Sequence, residues 1–366
     1  MKKIIVVSNY ALQSNRIGGM DFFYWELDKQ LKLKKYKVSW LFQNGGEYNH
    51  YSERDIDFDL LDKNIDFTNG MFNWISDKND YALFIGIFLD FQSTVSYKIK
   101  NKLKIPCIFV DQMSRSNYGK TWIFKLKRII KGVLFYNTID TIIAISNFVK
   151  KSILVESGFF WENKIEVVYN GLPIENFKTG NKMLIDEAKI SIFCIGHLIP
   201  EKGFQVVISA CKKLKENNIP FFLTIAGDGI FKKQLMTQAM NELSNDSYKF
   251  VGNITNQAHF LNQTDIVVVP SLWKEGFGYT VAEAMLMKKV VFGSDIGAIP
   301  EILDNKKILF KAGNSNQLAE LIKDYHFNKE KYNGIAEGLY QRAITNFTLD
   351  KMVAGYIKII EKQLSK

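Results

Sequence analysis

The sequence is poor in the residues and segments that mark a secreted, membrane-spanning or metal-binding protein. Its three cysteines, Cys107, Cys194 and Cys211, are widely spaced and odd in number, which suits neither a disulfide framework nor a metal pattern. Its four histidines are scattered and form no ligand cluster. No stretch is long enough to span a bilayer, and the apolar run from Ile4 to Val7 is too short for a signal peptide. We therefore expect a cytoplasmic protein.

What the sequence does contain is an alternation of short apolar segments with helix-like stretches. The first half has KKIIVVSN, KVSWLF, YALFIGIFL, PCIFVD, DTIIAIS and KIEVVYN, and the second has ISIFCIGHL, FFLTIAGDG, YKFVGN, DIVVVPS and KVVFGSD. This alternation predicts parallel sheets covered on both faces, with ligands at the carboxyl ends of the strands. At 366 residues the chain is too long for one ordinary core. We predict an α/β protein of two Rossmann-like domains, joined near residues 170–183.

Most of the net charge of +10 lies in one segment. Between Lys98 and Lys131 there are ten Lys or Arg and a single acid. Within this segment, WIFKLKRIIKGVLF has an apolar stripe at helical spacing, with basic residues to one side. Such a helix can rest on an anionic membrane, or it can pack its apolar face on its own domain. No nucleic-acid-binding motif accompanies the charge. The candidate acceptor or membrane residues are Arg16, Lys125, Arg128 and Lys131.

Three strand-to-helix loops carry glycines where backbone N–H groups and a helix dipole could attract phosphate. The first contains Gly18 and Gly19, and the second contains Gly196 and Lys202. The third is KEGFGYTVAEAM, residues 274–285, with two glutamates around a Gly-Phe-Gly. A single glycine loop is usually only turn geometry. Three of them on two sheets favour a nucleoside diphosphate held between the domains.

These motifs resemble the family 4 glycosyltransferases, which are retaining, nucleotide-sugar-dependent enzymes of the GT-B fold. The resemblance runs through IGGMDFF, AISNFVKKSI, VVYNGLPIENF, GHLIPEKGFQVVI, LTIAGDG, FVGNI, KEGFGYTVAEAM and IPEI. It implies two Rossmann-like domains facing a central cleft. The expected ranges are 1–175 for acceptor binding, 176–347 for the nucleotide sugar, and 348–366 for a helix that packs back toward the first domain.

The resemblance also assigns roles to particular residues. Glu283 matches the glutamate that accepts hydrogen bonds from the ribose, and Glu275 matches the one that contacts the donor sugar near the reaction centre. Lys202 matches the lysine that neutralises the diphosphate. The alternative for the two glutamates is a solvated helix start. Glycines and neighbours that would complete the donor site are Gly18, Gly19, Gly196, His197, Gly227, Gly276, Phe277 and Gly278.

Two residues depart from the family pattern. His197 stands where the family usually has arginine, and histidine is only a conditional cation. Leaving-group stabilisation would then be weaker unless another cation such as Arg16 compensates. Asp111 stands at a strand end where many members have histidine. It could bind sugar or acceptor hydroxyls or act as a base, and a turn or cap aspartate is an equal alternative.

The expected activity is transfer of a hexose from a nucleoside-diphosphate sugar, with UDP favoured, to a glycan or lipid-linked acceptor in surface-polysaccharide synthesis. We expect no cofactor and no metal, because the acidic run DIDFDLLD, residues 55–62, favours a solvated loop over a metal site. The expected location is the cytoplasm, with peripheral contact at the inner face of the membrane. The alternatives are a nucleotide-sugar epimerase, a phosphorylase, or a catalytically weak subunit that binds glycan or a partner.

Overall fold

The chain divides into two compact units, each built on a parallel sheet. The computed structural model describes residues 1–12, 18–44, 49–62, 64–76, 78, 80–112, 122–177 and 188–366. The described residues up to Gly171, together with Leu349–Lys366, form the first unit, and Leu172–Thr348 form the second. Leu172 belongs with the second because its N–H donates to the carbonyl oxygen of Phe347 at 2.9 Å.

The first unit has a seven-stranded sheet with the order β3-β2-β1-β4-β5-β6-β7, in which every pair is parallel. The internal strand β1 buries Ile4, Ile5, Val6 and Val7 completely, as expected where helices cover both faces. The elements are β1 (Lys3–Leu12), α1 (Gly19–Leu33), β2 (Lys37–Asn44), α2 (Asn49–Ser52), β3 (Phe58–Leu61), α3 (Phe67–Ser76), β4 (Leu83–Ile87), α4 (Thr94–Leu103), β5 (Cys107–Asp111), α5 (Trp122–Phe135), β6 (Thr141–Ala144), α6 (Asn147–Ser157) and β7 (Ile165–Val167).

The second unit has a six-stranded parallel sheet with the order β10-β9-β8-β11-β12-β13. Its elements are β8 (Ile190–Ile195), α7 (Phe204–Glu216), β9 (Phe221–Ala226), α8 (Lys232–Glu242), β10 (Tyr248–Gly252), α9 (Gln257–Asn262), β11 (Ile266–Val269), α10 (Tyr279–Leu286), β12 (Val290–Ser294), α11 (Ile299–Leu303), β13 (Leu309–Phe310), α12 (Ser315–Phe327) and α13 (Lys329–Asn346). The predicted pair of parallel-sheet α/β domains is therefore confirmed.

The last helix, α14 (Leu349–Leu364), packs in the first unit. The ring centroid of Tyr356 lies 4.6 Å from that of Phe23 in α1. The Gln363 amide donates a buried hydrogen bond of 2.6 Å to Thr141 of β6. Gly355 lets α14 approach Val168, because a Cβ on this glycine would lie 2.8 Å from the valine side chain.

The acidic run 55–62 contains a strand, so its interpretation as a loop is wrong for Phe58–Leu61. This strand, β3, is at the edge of the first sheet, where exposed charge is tolerated and discourages further pairing. Two carboxylates of the acidic run already have protein partners. Asp57 accepts from the Ser39 hydroxyl at 3.0 Å, and Asp59 accepts from the Trp74 indole at 2.6 Å.

Helix α5 exposes its apolar stripe instead of packing it on its own domain. Trp122, Leu126 and Val133 are exposed, at 73%, 48% and 61% of their surface. Arg128, one of the candidate acceptor or membrane residues, is largely buried, with its guanidinium 3.5 Å from Asp90 and 3.7 Å from Glu156. These two carboxylates, which are distant from it in sequence, attract it toward its own unit. Among the described helices, none is long and apolar enough to cross a membrane.

Candidate active site

Lys202 lies in a short turn at the carboxyl end of β8. The turn, a 3-10 helix over Pro200–Lys202, ends at Gly203, which has a left-handed φ of 75°. A Cβ on Gly203 would overlap the carbonyl oxygen of Pro270, so glycine is required for this close approach. The N–H of Leu272 also donates to the carbonyl oxygen of Glu201 at 2.7 Å. The lysine turn is thereby fastened to the segment that follows β11.

Glu275 is held by residues from the ends of three strands. Its Oε1 lies 2.9 Å from the Nζ of Lys202 and also accepts a hydrogen bond from Ser271, after β11. Ser294, the last residue of β12, donates to the Ser271 carbonyl oxygen at 2.8 Å. Glycine at 297 allows contact with the Glu275 backbone, since a Cβ there would lie 2.6 Å from the Glu275 nitrogen. The arrangement is a pre-positioned ammonium–carboxylate pair at the carboxyl edge of the sheet.

Glu283 is the fifth residue of α10, which begins at Tyr279. Its side chain is partly buried, and Gln257 at the start of α9 donates to its Oε2 at 2.8 Å. Burial raises the pKa of the Glu283 carboxyl group above its ordinary value, and the hydrogen bond from Gln257 opposes this shift. Sequence reasoning did not identify Gln257, because no motif marks it.

The Gly-Phe-Gly loop combines a conformational role with a packing role. Gly278 caps α10 with a left-handed φ of 95°, a conformation that glycine adopts without strain. Phe277 is 2% exposed, and its ring packs edge-on against Tyr279 and Phe347. The phenyl ring is therefore part of the core, which leaves only the backbone of Phe277 for a donor contact. Gly276 lies between this ring and the held Glu275.

Gly196 and Gly227, two further glycines of the predicted donor site, allow the ends of β8 and β9 to approach each other closely. A Cβ on Gly227, whose φ is 124°, would overlap the carbonyl oxygen of Gly196. Close backbone packing therefore accounts for glycine at 227 without any ligand. His197 is exposed beside this contact, and a Cβ on Gly229 would lie 2.9 Å from its imidazole Cδ2.

In the first unit, Gly18 caps α1 and Gly19 is the first residue of that helix. The N–H of Gly18 donates to Asp21 at 2.8 Å, so this donor is already engaged. Asp21 also accepts from Tyr51 at 2.9 Å. The φ of Gly18 is −130°, an ordinary value, and an added Cβ would come no closer than 3.9 Å to another described group. Among the described residues, neither conformation nor packing requires glycine at position 18.

The other candidate site residues that the structure describes in the first unit lie on different elements. Asp111 is the last residue of β5, is 5% exposed and stands in register with Ala144 of β6, so it ends a strand rather than forming a turn. Lys131 is exposed on α5. Arg16 and the side chain of Lys125 lie outside the described residues. Within the described part of the chain, no three His, Cys, Asp or Glu residues are grouped as metal ligands.

Two parallel-sheet α/β units are the architecture of the GT-B fold, and the lysine–glutamate pair lies at the carboxyl edge of the second sheet. Residues 176–342 match the family model described as glycosyl transferases group 1. This match confirms the resemblance to the family 4 type glycosyltransferases and identifies the protein as a glycosyltransferase enzyme.

Two bacterial proteins are among those similar in sequence. An uncharacterized 41.2 kDa protein in the cps region of Klebsiella pneumoniae is 26% identical over 278 residues, covering 72% of this chain and 73% of the relative. The O-antigen biosynthesis glycosyltransferase WclY of Escherichia coli is 26% identical over 209 residues, covering 54% and 57%.

Solved structures share the fold over the whole chain. A glycosyltransferase from Rickettsia africae superimposes with a TM-score of 0.79 at 22% identity, covering 99% of both chains. Anabaena HepE in complex with UDP and glucose gives a TM-score of 0.79 at 18% identity, covering 99% of this chain and 100% of the other. At these identities the likeness concerns the fold.

Proposed function

We propose that this enzyme transfers a hexose from a nucleoside-diphosphate sugar, with retention of anomeric configuration. The observation that carries the proposal is the pair formed by Lys202 and Glu275 at 2.9 Å, where three strands of the second sheet end. An ammonium group has three N–H donors, and Glu275 occupies one of them. The others can bind the diphosphate, whose negative charge grows as it leaves.

The proposed step is a front-face substitution. The bond between the sugar C1 and the phosphate oxygen breaks, and its electron pair stays on the diphosphate. The acceptor hydroxyl forms the new bond at C1 from the same face, and its proton passes to a phosphate oxygen. Lys202 neutralises the leaving diphosphate, and Glu275 positions both the ammonium and the sugar. A double displacement with Glu275 as nucleophile predicts a glycosyl-Glu275 adduct, which mass spectrometry would detect.

The nucleotide is proposed to be UDP. Glu283 offers a partly buried carboxylate, and a carboxylate suits a ribose diol because both of its oxygens accept hydrogen bonds. A structure of the same fold was solved with UDP and glucose, which supports uracil as the first base to test. We also propose that turnover needs no metal ion. Loss of activity in EDTA, restored by manganese, would contradict this.

The acceptor is proposed to be a glycan or lipid-linked glycan in surface-polysaccharide synthesis, at the inner face of the membrane. The names of two similar proteins, one in a cps region and one in O-antigen biosynthesis, support this setting. We assign acceptor binding to the first unit, where Asp111 ends β5 as a buried carboxylate.

A thermal-shift screen over nucleoside diphosphates and their sugars tests the donor. A ligand at about a hundred times its Kd should stabilise the protein by roughly 3 kcal/mol. Lys202→Ala should lower kcat about 10²- to 10³-fold with a smaller change in KM, because the lost contact strengthens in the transition state. Lys288→Ala is the matched control, since Lys288 pairs with Glu337 at 2.9 Å on the surface of the same unit. Stabilisation by no nucleotide, or an inverted product anomer by NMR, would refute the proposal.

A further inference from the structure

Helix α5 exposes an unusual concentration of large apolar side chains. Nineteen large hydrophobic residues are exposed among the described residues, and seven of them lie in this one helix. At 100° per residue they cover a continuous arc of about 140°. They are Trp122, Ile123, Leu126, Ile129, Ile130, Val133 and Leu134, with exposures from 38% to 73%. Contiguous apolar surface of this kind marks an interaction site.

The helix is attached to its unit by the opposite face. Gly132 packs directly on the carbonyl oxygen of Ser157 at the end of α6, where any larger residue would overlap it. Arg128 turns inward to Asp90 and Glu156. A surface helix ordinarily buries its apolar stripe and exposes its charges. In α5, by contrast, Gly132 and the ion-paired Arg128 attach the helix to its unit, and the apolar stripe faces outward.

The charges around the stripe indicate what covers it. Lys127 and Lys131 are exposed and follow the apolar arc on one side. The segment from Lys98 to Lys131 has ten basic residues and one acid. A second copy of this chain would bring the same positive segment against itself, which disfavours a dimer through this face. A basic rim beside an apolar arc instead complements anionic headgroups over an acyl layer.

We propose that the exposed face of α5 docks the first unit on an anionic lipid bilayer. Its apolar arc enters the boundary between headgroups and acyl chains, and Lys127 and Lys131 contact the headgroups. Trp122, at the start of the helix, has the amphipathic ring favoured at that boundary. The inference deepens the proposed function, on which it rests for its setting, because a lipid-linked acceptor would be reached from the same surface.

Co-sedimentation with phosphatidylcholine vesicles, with and without phosphatidylglycerol, tests the docking. The wild-type protein should bind the anionic vesicles and lose binding as salt rises. The triple variant Trp122→Ser, Leu126→Ser, Ile130→Ser should bind at least tenfold more weakly, since its apolar contact is lost. Lys127→Gln with Lys131→Gln should weaken binding about fivefold per lysine and flatten the salt dependence.

The matched control replaces three equally exposed apolar residues of the second unit: Met236→Ser, Met240→Ser and Phe327→Ser. This control should bind vesicles as the wild type does. Unchanged binding by the α5 triple variant, or failure of the wild type to bind anionic vesicles, overturns the proposal. A wild-type dimer that the triple variant abolishes also overturns it in favour of a contact between copies. A thermal-shift assay with the donor reports on the proposed function separately, because it requires no membrane.

Discussion

At the scale of single residues, the proposed mechanism uses the pairing of Lys202 with Glu275 to hold an ammonium group in position before the diphosphate binds. The ion pair is partly shielded, with 26% of the lysine and 12% of the glutamate side chain exposed. Without Glu275, the lysine would be free to adopt many rotamers before the donor arrives. The carboxylate therefore supplies preorganisation, which reduces the ordering cost of donor binding.

A residue-scale prediction concerns the partly buried Glu283. Its folded-state pKa is raised by burial, so folding favours the protonated form, and stability is lost as pH rises through the folded pKa. Glu283→Gln removes that loss, so the variant should unfold at a higher temperature than the wild type near neutral pH. The advantage should shrink as pH falls toward the unfolded pKa of about 4.3. Thermal unfolding as a function of pH measures it.

The same change should damage donor binding, which separates the two roles of Glu283. Loss of a charged acceptor for the ribose should raise the donor KM roughly ten- to a hundredfold. Glu320→Gln, at an exposed position of α12, is the control and should leave both the KM and the pH profile unchanged. An unchanged donor KM in Glu283→Gln would remove this residue from the donor site.

At the scale of elements, glycines divide into those that the fold requires and those that it tolerates. Gly227→Ala should destabilise the second unit by about 2 kcal/mol or more, because of its φ of 124° and the overlap with Gly196. Gly334→Ala and Gly338→Ala, inside α13, should each stabilise it by about 0.5–1 kcal/mol, because the added Cβ meets no described atom within 4 Å beyond the backbone of the helix itself. Denaturant unfolding monitored in the second unit checks both signs.

At the scale of the whole molecule, α14 makes the first unit depend on the last residues of the described chain. Tyr356→Ala should cost this unit about 3–5 kcal/mol, because a fully buried ring that packs on Phe23 is removed. Hydrogen exchange should accelerate in α1 and β1 while β8 and β11 stay protected. The exposed Phe327 provides the control, since Phe327→Ala should change stability by less than about 0.5 kcal/mol. Equal loss of protection in both sheets would contradict the prediction.

The sequence by itself determined the two parallel sheets and the family. Apolar strands such as Ile4–Val7 and Ile266–Val269 are nearly continuous because both faces of each sheet are covered, and that pattern is local. The edge strand β3 escaped prediction because only Leu61 of its four residues is buried and because the acidic run suggested a loop. The glycine at 203 is likewise visible in the sequence, although only the structure shows what it approaches.

Tertiary structure decided which face each amphipathic element presents and which partner each charged side chain meets. Helical periodicity shows that Leu126, Ile130 and Val133 share a face of α5, but it cannot show whether protein or solvent lies opposite. That outcome depended on Gly132 meeting Ser157 and on Arg128 meeting Asp90. In the same way, the hydrogen bond between Gln257 and Glu283 joins positions 26 residues apart. Burial and pairing arise between residues distant in the chain, whereas sequence periodicity reports only on neighbours.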